Sequence, residues 1–377
     1  VNFTIRSIAT IVAVTGVLAP IALAKAPVAS QPGGETLFVM SNAANKNEIV
    51  AYHQVLGSYI EVKRFATGGR GSGGTIDPLQ SQGSLVVTHD AGFLLAANAG
   101  SGTISVFRVN EGTLTLTDQV PSGGSEPLSI AELSNQVYVL NGAGAGNVTT
   151  FQLTAGGHLE PSGGAPKYLS GAGAGGSSIA ISPDGKELAV TERNTNSIDI
   201  FPLQGGVLQT LVTVPSKDPG VFSARFTPNR QLVVSETGPA NTTGQAAISS
   251  YAVSPSGSLA PITQGLPTYG SADCWNAITP NGKWVYASNA ASSTISGFSL
   301  QPNGVLLPIG STIVGNNPPG SANLDITTST DGRYLFSLNA GTGTISVFVI
   351  QGDGTLQLAG ELDGLPSSAG LNGIAAL

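Results

Sequence analysis

Seven positions about fifty residues apart carry a short polar side chain: Asn42, Asn98, Asn141, Glu192, Glu236, Asn289 and Asn339. The two carboxylates sit in consecutive members of the series. Placed side by side they would resist double ionisation, so one would hold a raised pKa. A carboxylate tuned in this way can act as general base for attack of water on a carbonyl carbon. The amides, Asn141, Asn289 and Asn339 among them, would orient a ligand. The same residues also suit a structural task, bonding to loop backbone and tying repeats together. A second row supplies Asp273-Cys274-Trp275-Asn276, Arg225, Asn323-Leu324-Asp325 and Asn372. Trp275 beside Asp273 and Asn276 suits a sugar ring or a flat organic ligand, and equally suits packing between repeats. Arg225 alternates with apolar Phe226 and calls for a carboxylate partner, with Glu192 or Glu236 as candidates. Cys274 has no nearby histidine to activate it and reads as a buried, inert thiol. His53, His89 and His158 fall in different repeats without metal-ligand spacing, so no metal or cofactor is expected.

The elements that position these residues follow from a turn. A Gly-x-Leu-like triplet recurs at Gly57, Gly112, Gly157, Gly206, Gly257, Gly304 and Gly354. Each repeat divides into four short alternating runs. In the fourth, Ser177–Ser182, Glu187–Thr191, Asn196–Leu203 and Val207–Val214 are strands, with Pro183-Asp184-Gly185 as a tight turn. A repeat of this length with four strands predicts an all-β, seven-bladed propeller of antiparallel blades over residues 36–377. The start of each inner strand and the end of the second strand lie on one face, which brings the two polar rows together. The first repeat lacks an inner strand, and Leu371–Leu377 is the spare candidate. The C-terminal segment is therefore expected to complete the first blade and close the ring.

Residues 1–24 read as a secretory leader: Arg6, an apolar run from Ile8 to Leu23, and the small-x-small pattern Ala22-Leu23-Ala24. Residues 25–35 read as a linker. The chain is then expected to act outside the cytoplasm, secreted or periplasmic, with no membrane attachment after cleavage, in a bacterial host and as a monomer. A net charge of −7 makes nucleic acid and anionic membranes poor partners. Cys274 is the single cysteine, so stability must come from the core and ring closure rather than from a disulfide.

Several stretches carry a resemblance. Ile179–Lys186 reads Ile-Ala-Ile-Ser-Pro-Asp-Gly-Lys, and Thr103–Phe107 and Thr344–Phe348 both read Thr-Ile-Ser-Val-Phe. With the recurring Gly-Thr-Leu turns, they resemble the lactonase family of seven-bladed propellers, which includes 6-phosphogluconolactonase-like and 3-carboxymuconate cyclase-like proteins. Ser129–Glu132, Cys274-Trp275 and Asn372–Ala376 are most similar to its secreted bacterial branch. The resemblance implies hydrolysis of a lactone. Enzymatic members of the family tend to carry His and Arg where the inner strands begin, but this chain has Glu126-Pro127-Leu128 and Gly176-Ser177-Ser178 there. A phosphorylated substrate would need cations, and only Arg193 and Arg225 are near. The expectation is a neutral lactone or sugar-derived ester with Glu192 or Glu236 as base. The alternative is a non-enzymatic propeller that binds a small, carbohydrate-like ligand or a protein on its polar face.

Overall fold

The computed structural model describes residues 35–55 and 57–377. The expected leader and all but the last residue of the linker lie outside the described residues. Seven antiparallel sheets follow one another around a central axis. Their inner strands are Ile374–Ala376, Leu85–Val87, Pro127–Leu133, Gly176–Ile181, Val221–Phe226, Asp273–Ile278 and Asn323–Thr328, taken from blade 1 to blade 7. Blade 4 differs only in its outer strand, which is interrupted into Val207–Leu208 and Val212–Pro215.

The repeating turn needs glycine for a stated reason. All seven turn glycines have φ between +74° and +89°, a region that L side chains avoid. Space is also short: a Cβ on Gly112 would come within 2.2 Å of the His53 ring.

The core lies between blades. Phe38, Leu94 and Phe107 join blades 1 and 2, while Leu140, Leu188 and Phe201 join blades 3 and 4. Each blade thus buries its faces against both neighbours and is incomplete without them.

The ring closes as the repeat count requires. Ile374–Ala376 pairs with Thr36–Met40 in the register Leu37↔Ala376, Phe38↔Ala375, Val39↔Ile374. Thr36 and Leu377 exchange backbone hydrogen bonds of 2.7 and 2.8 Å, and the Met40 amide donates to Gly373 at 3.0 Å. Leu371 and Ile374 are buried in the blade 1 and blade 7 core.

A strap crosses the axis. Residues 75–84 leave blade 1 and bond to four other blades before entering blade 2. The Ser81 hydroxyl donates to the Leu128 carbonyl of blade 3 at 2.9 Å, and the Gln82 amide to Ser177 of blade 4 at 3.1 Å. The Trp275 indole of blade 6 donates to the Ser81 carbonyl at 2.8 Å, and the Gln82 side chain donates to Asp325 of blade 7 at 2.9 Å. The strap closes the channel on the face where the inner strands begin.

Candidate functional site

Below the strap lies a channel cavity of about 380 Å³, lined by the inner strands of the blades around it. Gln82, Leu85, Ser178 and Asp325 at its strap end are buried, while Val87, Phe226, Thr327 and Ala376 are partly exposed. The cavity therefore opens on the face where the inner strands end.

Its closed end carries Arg225 and Asp325, and Glu132 lines the cavity as well. Arg225 Nε donates to the Asn276 carbonyl at 2.8 Å, and Gln82 Nε2 donates to the same carbonyl at 3.0 Å. Gln82 also bonds Asp325 Oδ1, so one amide links blade 6 to blade 7 across the axis. Burial pushes Asp325 up to about 6, against the lowering pull of Arg225 and Gln82. Burial likewise lowers Arg225, and Asp325 is the carboxylate that counters it. Asp325 thus takes the partner role expected of Glu192 or Glu236. In a cavity lined by both groups, a carboxylate near 6 can take a proton from water and a guanidinium can stabilise an oxyanion.

The seven-position polar series is in register, as Glu192↔Gly176, Asn289↔Asp273 and Asn339↔Asn323 show. It does not line an open channel mouth, however: all seven side chains are buried. Asn98, Asn289 and Asn339 donate to the hydroxyl seven residues on, Ser105, Ser296 and Ser346, at 2.8, 2.9 and 2.8 Å. Asn141 donates to Asn147 at 3.0 Å, and Asn42 to Ser72 at 2.9 Å. Glycines of the preceding connection press on three of them. A Cβ on Gly69, Gly124 or Gly270 would come within 2.4, 2.5 or 2.1 Å of Asn98, Asn141 or Asn289.

Glu192 and Glu236 have separate partners rather than a shared face. Glu192 accepts from the Ser170 amide at 2.8 Å and the Thr195 hydroxyl at 2.6 Å. Burial raises its pKa, but hydrogen bonds from Asp199, Ser170 and Thr195 outweigh that and leave it below the ordinary value. Asp199 is pushed up to about 8, by burial first and then by Glu192. Glu236 accepts from Ser216 at 2.8 Å and Ser249 at 2.7 Å, and burial raises it to about 7.

The second row divides. Trp275 is fully buried, edge-on to Phe222 at 5.0 Å, and offers a ligand no ring face. Burial raises Asp273 well above its ordinary value, while a hydrogen bond from Ser235 pulls the other way. Asn276 donates to Ser223 at 2.9 Å and Ser235 at 3.1 Å while its carbonyl serves the channel. Asn372 accepts from Ser84 at 2.6 Å. Burial raises Cys274 far above a reactive range. The structure brings together Arg225, Asp325 and the Asn276 backbone, and adds Gln82. No sequence signal marks Gln82, which lies in a connection without alternation. Among the described residues, no three His, Cys, Asp or Glu side chains converge as a metal site would require.

Fold and sequence agree on the family. The model of the lactonase family, 7-bladed beta-propeller, matches residues 28–141 and 248–363, and the chain belongs to that family. A Bacteroides uniformis protein provisionally assigned as a 6-phosphogluconolactonase is similar in structure: TM-score 0.70, 20% identity, covering 92% of this chain and 100% of that one. The periplasmic gluconolactonase of Pseudomonas aeruginosa gives 0.68 at 15% identity, covering 92% and 99%. Virginiamycin B lyase of Staphylococcus aureus gives 0.55 at 14%, covering 78% and 88%. At such identities the likeness shows the fold, and a fold shared by a lyase does not fix the reaction. No curated protein matches the sequence.

Proposed function

We propose that the chain is an extracytoplasmic lactonase that hydrolyses a neutral lactone or related ester in the central channel. One observation carries the reading: a buried carboxylate held near 6, Asp325, lines a cavity that also receives Arg225. Water at the closed end loses a proton to Asp325 as its oxygen attacks the lactone carbonyl. Arg225 stabilises the oxyanion, and the ring C–O bond breaks with the alkoxide taking the proton. The pair cancels its own charge, which suits a neutral substrate better than a phosphorylated one. Export rests on the apolar segment of residues 8–23 and agrees with the periplasmic location of the Pseudomonas aeruginosa neighbour.

A panel of neutral lactones followed by pH-stat tests the proposal. The kcat/KM is expected to rise with pH through about 6, where Asp325 loses its proton. Asp325→Asn is expected to lose about 100-fold or more. Glu192→Gln and Glu236→Gln are expected to keep most of the rate, because both side chains are buried away from the cavity. Equal rates in wild type and Asp325→Asn would sink this mechanism. The rival reading, a propeller that binds without reacting, is favoured by how fully Asp325 is bonded: Gln82 and the Ile374 and Ile326 amides all approach it. Saturable binding of a lactone with no turnover would establish that reading instead.

A further inference from the structure

Resting on the lactonase reading, we infer that the channel selects a lactone whose substituent is cationic, and that Glu132 determines this specificity. The lactone ring itself stays neutral; the charge sits on the group attached to it. Backbone groups of the inner strands that face the channel fall in levels. At the closed end the Ile130 amide donates to the Gly83 carbonyl at 2.9 Å and the Ile179 amide to the Ser129 hydroxyl at 3.1 Å. The Ala224 amide donates to Ser178 at 3.4 Å, and the Asn276 carbonyl accepts from Gln82 and Arg225. Two residues further along these strands, about 7 Å nearer the mouth, stand Glu132, Ile181, Phe226 and Ile278, all lining the cavity.

The two levels differ in charge. At the closed end Asp325 is the charge that counters Arg225. Towards the mouth Glu132 has no such counterpart. Its Oε2 accepts from the His89 amide at 2.7 Å and its Oε1 from the Asn135 amide at 3.0 Å. These neutral donors fix the carboxylate and leave lone pairs open for a ligand. Among the described residues, none of the ion pairs involves Glu132. Cations on neighbouring turns of that face are already engaged. Arg230 holds Asp184 at 3.0 Å and Glu187 at 2.8 Å, Lys186 reaches Asp184 at 3.5 Å, and Arg333 pairs with Asp331. With Arg225 and ionised Asp325 cancelling, Glu132 leaves the channel one negative charge in excess.

A positive group on the substrate relieves that excess, and a phosphate or carboxylate meets repulsion. Phe226, half-buried at the same level, is the one aromatic side chain among the described residues that line the cavity. An aromatic face attracts a cation as a carboxylate does, without favouring a neutral hydroxyl in the same way. A lactone with its carbonyl at Arg225 spans the interval to this level. The substituent on the far side of the ring therefore reaches Glu132. Specificity here combines an attraction for one charge with a penalty for the other.

The test compares γ-butyrolactones that differ only in the γ-substituent: trimethylammoniomethyl, hydroxymethyl or carboxymethyl. At low ionic strength kcat/KM is expected to be about tenfold higher for the cation than for the neutral lactone, and lowest for the anion. Molar salt should erase most of that preference, because it screens a charge near solvent. Glu132→Gln, which keeps an oxygen acceptor for the backbone amides, should bring the lactones within about twofold of one another. Calorimetric titration of the same lactones into wild type and Asp325→Asn reads the preference without turnover. Cation-selective binding that Glu132→Gln abolishes, with no hydrolysis of any lactone, would remove the lactonase reading and leave this one standing. Equal kcat/KM across the set, or equal or absent binding where nothing turns over, would overturn it. So would a preference that survives Glu132→Gln. Should that variant not fold, a wild-type preference indifferent to salt would overturn it as well.

Discussion

One repeated bond explains why Glu192 titrates as it does. Where blades 2, 6 and 7 pair an Asn with a Ser seven residues on, blade 4 pairs Glu192 with Asp199. An amide donates to a hydroxyl without help, but two carboxylates can meet only through a shared proton. Asp199 Oδ2 otherwise has no partner, and Thr213 occupies the other oxygen at 2.6 Å. The folded chain therefore holds a proton on Asp199 up to about pH 8, whereas the unfolded chain releases it near 4. A raised carboxyl pKa makes its contribution full below pH 4 and progressively lost as pH rises to 8. Asp199→Asn supplies an N–H donor in its place that does not titrate. Calorimetry should show the variant gaining on wild type between pH 5 and 8, by about 2 °C. Parallel pH profiles would mean the pair does not share a proton. Glu192 was visible in the sequence as an exception within a row of amides. Its partner was not, because the seven-residue bond pattern emerges only from the register of the second and third strands.

At the scale of elements, the closing strand and the strap are opposites. The closing strand was legible because counting repeats left one inner strand missing and one segment spare. Deleting residues 370–377 removes the burial of Leu371 and Ile374, roughly 5 kcal/mol together. The melting temperature should fall by about 10 °C; an unchanged value would show that blade 1 is stable with its inner edge open. The strap left no such trace. It has no alternation, and its partners Leu128, Ser177, Trp275 and Asp325 belong to four blades spread through the chain. Trp275 looked like a ligand platform for the same reason: the indole's acceptor, Ser81, lies 194 positions away.

For the whole molecule, a strap at one end makes the channel a blind pocket rather than a tunnel. Substrate must arrive from the face where the inner strands end. Thr327→Trp, at that mouth, should raise KM strongly. Thr75→Trp, exposed near the start of the strap on the other face, should leave KM alone. The reverse result would place the entrance on the strap side. The propeller as a whole was readable from seven turns, since each glycine's positive φ is a local demand. The channel site was legible only in part: Arg225 and Asp325 stood among the inner-strand positions, but their pairing was not, and Gln82 lies in a connection that meets them only when the ring is complete.

Ring closure also sets a timetable. The first strand among the described residues, Thr36–Met40, waits for Ile374–Ala376, and Asn42 holds the Gly370 carbonyl across 328 positions of chain. Closing so long a loop makes late folding slow. Blade 1, the earliest in sequence order among the described residues, is the last that can be finished. A nascent chain stays open along that seam until Ile374–Ala376 has been made.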